Sequence, residues 1–230
     1  MGGPAFYITG DGRQAIAEAD NFFEVPFEVD GVGFVSSEAA YQAMKCFDAR
    51  TGEIRPENQT AFDRLQNCAD GNEAWSLGQE VVCRSDWDSL RVAAMLHVNR
   101  AKLVGCPSLV QGLDGSEDAY LFVPYTFRFW GTPGDTAMGQ SGLVDGRQVS
   151  ALDPRLEDQN WNGRIQMILR ESWRRDAGQP VDWNLLVMLL TDVVALFEVG
   201  SDRSGERPDP RGWIQQVRAE LEHAEQQFPG

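Results

Sequence analysis

Hydrophobic and polar positions change period several times along the chain, and the changes mark out its elements. Over the first thirty-five residues the apolar spans are short: 6–9, 22–29 and 34–35 read as strands separated by turns. Asp30-Gly31 between apolar runs is a two-residue hairpin signal. From Ser36 the spacing becomes helical. Segment 37–48 is predicted as a helix that Ser36 or Ser37 caps, with Glu38 in the first turn at the positive end of the helix dipole. A polar loop over 51–59 separates it from helical spacing at 60–68 and at 86–104. Ser85 and Asp88 stand at a capping-box separation before the latter. Residues 120–130 are aromatic and β-prone, whereas 131–159 carry Gly, Asp and Ser without a period and predict a long loop or lid. Helical spacing returns over 161–175, 182–198 and, past a polar linker at 200–211, 212–227. Helices outnumber strands, so the expected fold class is mainly α (α+β). It has a small N-terminal β element, a principal domain over 1–175 and a C-terminal helical extension over 176–230.

Composition narrows the partners. Acidic residues outnumber basic ones 35 to 20, a formal net charge of −15. No basic stripe is visible, which argues against a nucleic-acid partner. The four cysteines show no CxxC spacing and the N-terminus has no signal-peptide pattern, so reduced thiols and a cytoplasmic location are expected. The apolar run 183–197 is interrupted by Asn184 and Asp192, and reads as a buried helix rather than a membrane span. The two histidines have no ligand spacing, so neither a metal nor another cofactor is expected. Gly31-Val-Gly33 is half a dinucleotide loop without a βαβ context, and Ser141 fails the nucleophile-elbow pattern.

The basic residues are more informative than their number. Of the twenty, only Lys45 and Lys102 are lysines; the rest are arginines. Lysine supplies an amine that can lose its proton and attack carbon, which arginine cannot. At about 100° per residue, Glu38, Tyr41, Gln42 and Lys45 share one face of helix 37–48, opposite an apolar stripe of Ala40, Ala43, Met44 and Phe47. The plain alternative is a solvated polar face with an ordinary ion pair. On helix 86–104, Trp87, Arg91 and Lys102 fall along one side, able to hold a base and a phosphate or to pack as a core Trp with snorkelling neighbours. Phe129-Trp130-Gly131 places a ring beside a flexible residue at the mouth of the long loop.

Taken together, these segments resemble the YbiA/NADAR family of N-glycosidases. Asp20-Asn21-Phe22-Phe23 is similar to its Ser-Asn-Phe element, and 37–45 (SEAAYQAMK) to its Ser-Glu-His-Tyr-Tyr-Gln-Ala-x-Lys signature. Trp87, Arg91, Met95 and Ala101-Lys102-Leu103 resemble its Trp…Arg…Met…Ala-Lys-Phe helix. Phe129-Trp130-Gly131 resembles its aromatic-Trp-Gly loop, and Asn160, Gly163, Met167 and Arg170 its last block. The resemblance spans about 5–175 and implies a compact, mainly α hydrolase that cuts the C–N bond between ribose and a base. Phosphoribosyl pyrimidines of the riboflavin pathway, or ADP-ribosyl-guanine, are the substrate types it implies. It further implies catalysis by Glu38 and Lys45, with Lys45 trapping ring-opened ribose as a Schiff base or else holding charge while Glu38 activates water. Tyr41 and Gln42 would orient sugar hydroxyls, Trp130 and Trp87 stack on the base, and Arg91 and Lys102 meet phosphate. Asn21, Phe22, Phe129, Gly131, Asn160 and Arg170 complete the implied substrate site.

The chain departs from the pattern at several places. Phe127 stands where many members have Asp, with Asp135 as an alternative acid, and Ala39-Ala40 replace His-Tyr. The loop 132–159 is long, and 176–230 have no counterpart in short members; a dimer contact and a pocket cover are both open roles for them. The competing reading is a binding module that senses ADP-ribose or a related nucleotide, and a second carboxylate within reach of Lys45 is what would separate the two.

Overall fold

The computed structural model describes residues 3–123, 129–130, 143–144, 147–148, 160–204 and 209–227. Phe127, Gly131, Asp135 and most of the expected lid lie outside them. Among the described residues there are eight α-helices: α1 (Ser37–Met44), α2 (Gln59–Gln66), α3 (Gly71–Glu80), α4 (Trp87–Gly105), α5 (Pro107–Gly115), α6 (Trp161–Asp176), α7 (Trp183–Ser204) and α8 (Trp213–Gln227). Three antiparallel hairpins accompany them: β1 (Ala5–Thr9) with β2 (Gly12–Ile16), β3 (Phe27–Val29) with β4 (Val32–Phe34), and β5 (Leu143–Val144) with β6 (Arg147–Gln148). The fold class is mainly α with a small β component.

The β3–β4 turn is the Asp30-Gly31 pair, both with positive φ (53° and 78°), as a two-residue hairpin of native twist requires. Strand β2 has no counterpart among the sequence expectations, because Gly12–Ala15 are exposed and show no apolar alternation. Its ladder to β1 holds it instead, while Phe6 exchanges two backbone hydrogen bonds with Phe122 (2.8 and 2.9 Å). The expected helix 37–48 ends at Met44, and Phe47 bridges to Ile54.

Helix α1 starts where Ser36 Oγ accepts from the Ala39 N–H (3.2 Å), and the Glu38 N–H donates to the Asn21 carbonyl (2.8 Å). All eight of its residues are buried, so its polar face is not the solvated stripe that helical periodicity alone allows. Helix α4 begins at Trp87, one residue later than a cap at Ser85 would set it. Asp86 occupies the cap position, and its carboxylate takes the Arg84 guanidinium bidentately (2.6 and 2.8 Å). Helices α7 and α8 pack on α4, and α7 also on α6. Leu186, Leu189, Leu190, Val193, Trp213 and Ile214 join the same core as α4 and α6. The apolar run extends beyond 197: Trp183–Gly200 is long and apolar enough, by length and composition, to cross a membrane. Its leucine face is buried against the neighbouring helices here.

Candidate active site

A cleft of about 370 Å³ opens between α1, α3, the N-terminal half of α4 and residues 129–130. Tyr41, Gln42 and Lys45 line it from α1, Trp75 and Gln79 from α3, and Trp87 and Arg91 from α4; Phe129 and Trp130 close it. The Trp161 and Asn162 N–H groups, in the first turn of α6, donate to the Phe129 and Trp130 carbonyls (3.0 and 3.1 Å). Those bonds satisfy two orphan donors of that helix and fix the two rings over the cleft.

The aromatic wall is interlocked. Tyr41 packs against Trp87 (ring centroids 5.1 Å apart) and edge-on against Trp130 (5.7 Å), and Phe129 meets Trp130 at 5.0 Å. The Arg91 guanidinium lies 3.7 Å over the Phe129 ring. Burial, with the nearby Glu38, raises the Tyr41 pKa well above the usual phenol range, so this side chain keeps its proton as a donor.

Lys45 sits at the C-cap of α1 with its Nζ donating to the Gly78 carbonyl on α3 (3.3 Å). Desolvation lowers its pKa, against opposing contributions from Cys83, Glu38 and Cys46. Glu38 is fully buried, and Oε1 accepts from Gln42 Nε2 (2.6 Å). It does not line the cleft but reaches it by way of Gln42. Gly78 makes this packing possible, since a Cβ there would fall 2.0 Å from Gln42 Oε1.

Other residues of the expected site lie elsewhere. Lys102 is fully buried; its Nζ donates to the Asp20 carbonyl (2.8 Å) and lies 5.7 Å from the Phe23 ring centre. Eleven residues separate it from Arg91, so although the two share a stripe they stand about 16 Å apart along the axis. A phosphate role beside Arg91 is thereby corrected to an internal one. Arg170 pairs with Glu171 (2.8 Å) and donates to Ser116 Oγ (3.1 Å) and the Ala119 carbonyl (2.7 Å). Asn160, in the left-handed region (φ 56°), accepts from the Val123 N–H (3.1 Å) and donates to Tyr120 Oη (2.6 Å) and the Leu121 carbonyl (2.9 Å). Asn21 bonds Asn162 (3.2 Å) and Asn99 (3.5 Å), and Phe22 packs over Gly71. These four hold the frame around the cleft rather than line it. Trp87 and Trp130 do line it, yet both are buried and committed to Tyr41.

Trp75 and Gln79 have no counterpart among the residues expected from the sequence, because α3 has none among the expected helices. The signal was present: Asp70 caps the Asn72 and Glu73 N–H groups (2.8 and 2.9 Å), and Glu73 returns to the Ala69 N–H (2.6 Å). A larger cavity of about 990 Å³ lies between α4, α5, α6 and α8. Arg100 and Arg175 both pair there with Glu220, and Arg175 also with Asp176. Its charges are internally matched and the one hydroxyl on its lining, Ser172, is already engaged by the Ile168 carbonyl and Glu220 (2.7 and 2.5 Å), so the smaller cleft is the better active-site candidate.

A mainly helical protein with an amine in an aromatic cleft is the class that fold and site define. Among the described residues, no group of three or more His, Cys, Asp or Glu is placed to hold a metal ion. Compared with known protein families and with curated proteins, the chain matches none.

Proposed function

We propose that the protein is an N-glycoside hydrolase that cleaves the bond between ribose and a base in a nucleotide-like small molecule. The observation that carries this reading is the partly dehydrated Lys45 amine held on the cleft wall, flanked by a protonated phenol and an amide. The resemblance of 37–45 to the YbiA/NADAR signature supports the same chemistry. Desolvation favours the neutral amine, whose lone pair adds to the anomeric carbon as the C–N bond to the base breaks. The first proton shed by the amine leaves with the base; the C1–ring-oxygen bond then breaks, the second N–H proton passes to that oxygen, and the opened sugar stays on Lys45 as an imine. Water then adds to that carbon, the bond to Lys45 breaks, and sugar and free amine separate. Tyr41 and Gln42 orient sugar hydroxyls, Arg91 meets phosphate, and Glu38 acts through Gln42 as a positioning residue.

The test is base release from a panel of ribonucleotides, followed by chromatography and mass spectrometry. Wild type releases a base; Lys45→Arg loses the activity by at least a hundred-fold, about 3 kcal/mol of transition-state stabilisation. Borohydride added during turnover attaches the sugar's mass to Lys45. Full activity in Lys45→Arg sinks the imine route. A second reading, a nucleotide-sensing module, is favoured by one observation: among the described residues, the carboxylate that acts on Lys45 is the buried Glu38. Ligand-induced thermal stabilisation without release from any nucleotide would select it.

A further inference from the structure

Trp75 differs from every other ring in the cleft. Tyr41, Trp87, Phe129 and Trp130 pack on one another, and Arg91 covers a face of Phe129. Among the described residues Trp75 has no ring partner, and it is 44% exposed while lining the cleft. A tryptophan exposed singly on a surface needs no explanation, but one beside a dehydrated amine does. Gln79 lies four residues on, on the same face of α3, and lines the cleft with it. Between them in sequence stands Gly78, whose carbonyl holds the Lys45 amine at 3.3 Å. The open indole and the Gln79 amide, whose Nε2 also donates one N–H to the Trp75 carbonyl (3.2 Å), therefore stand on the α3 wall to which the Lys45 amine is hydrogen-bonded.

We infer that Trp75 and Gln79 form the base-recognition wall of this cleft, with the substrate's heterocycle stacked on the indole and its edge read by the Gln79 amide. The inference rests on the glycosidase reading and adds the substrate's character: a flat heterocycle with a donor and an acceptor side by side on one edge, the pattern a glutamine amide matches in two bonds. Stacking on Trp75 sets the glycosidic carbon beside Lys45 while the sugar phosphate extends toward Arg91. It also replaces Trp87 and Trp130 as the stacking platform, since Tyr41 already occupies those rings.

The test is calorimetric titration of wild type, Trp75→Ala, Trp75→Phe and Gln79→Leu with AMP, GMP, CMP and UMP, and with ribose 5-phosphate, which lacks the base. Trp75→Ala is expected to weaken the best-bound nucleotide about ten-fold, the usual worth of one base–aromatic stack. Trp75→Phe restores most of that loss. Gln79→Leu changes the order of preference among the four bases. Ribose 5-phosphate binds alike in all four proteins. Unchanged nucleotide affinity in Trp75→Ala overturns the base wall and leaves the glycosidase reading standing. Equal losses for nucleotide and sugar phosphate overturn it too, by making Trp75 a structural residue. A wild type that binds neither class of probe removes both the wall and the reading beneath it.

Discussion

The two lysines show how burial alone divides one residue type into different jobs. Both lose water, but Lys45 remains at a cleft with its amine against a single carbonyl, whereas Lys102 is sealed inside. Desolvation takes the Lys102 pKa from 10.5 down to about 8, against weaker opposing pulls from Cys106, Asp20 and Glu18. The consequence for stability has a definite sign. Below about pH 8 the ammonium is buried charged, at full cost. Between about pH 8 and the ordinary lysine value the unfolded chain binds more protons than the folded one, so this group's contribution to stability rises with pH. Lys102→Met lacks that contribution. Urea denaturation at pH 7 and pH 10 is expected to show wild type gaining roughly 2 kcal/mol on the variant. A gap that stays constant would show that the amine is already neutral at pH 7 or is solvated.

At the scale of elements, the cleft depends on how closely α1 approaches α3, and Gly78 sets that distance. Its missing side chain leaves room for Gln42, which in turn holds Glu38 by a 2.6 Å hydrogen bond. Gly78→Ala gains about 1 kcal/mol of helix propensity. The new methyl meets a side chain that is 1% exposed and has nowhere to move. Overpacking of this kind costs about 1–3 kcal/mol, so the expected outcome is a small net loss in urea denaturation with a much larger loss of base release. Unaltered activity would separate Gln42 from the chemistry. The α1 side of this contact was legible in the sequence, because the cap at Ser36 and the spacing of Tyr41, Gln42 and Lys45 are local. The α3 side was legible only in its Asp70–Glu73 box: the short helix mixes Gly, Trp and Gln on a face whose purpose appears once α1 packs on it.

Across the whole molecule, the C-terminal helices are part of the support rather than an independent body. Helix α8 is clamped to α4 and α6 through Glu220, which takes Arg100, Arg175 (3.0 Å) and Ser172 Oγ (2.5 Å). Burial has already lowered the Arg100 pKa to about 10. Removing the carboxylate by Glu220→Ala leaves a largely buried guanidinium without its partner, a loss expected at roughly 3 kcal/mol in thermal or urea denaturation. A loss below ~0.5 kcal/mol would mean that water replaces the carboxylate without penalty. The clamp lies away from the cleft, so base release by the folded variant is expected to be unchanged.

The sequence by itself determined whatever depends on neighbours within about one helical turn. That covers the predominance of helix, the Asp30-Gly31 hairpin, the start of α1 and the shared face of Tyr41, Gln42 and Lys45. Such features follow from backbone sterics, capping and a fixed angle per residue, which act before any long-range contact forms. Tertiary structure alone decided which lysine meets the cleft, that Glu38 stands behind Gln42, that Trp87 and Trp130 are committed to Tyr41, and that α3 supplies an open Trp75. Periodicity gives the direction in which a side chain leaves its helix. It contains neither the distance along the axis that separates Lys102 from Arg91 nor the identity of the helix that packs opposite.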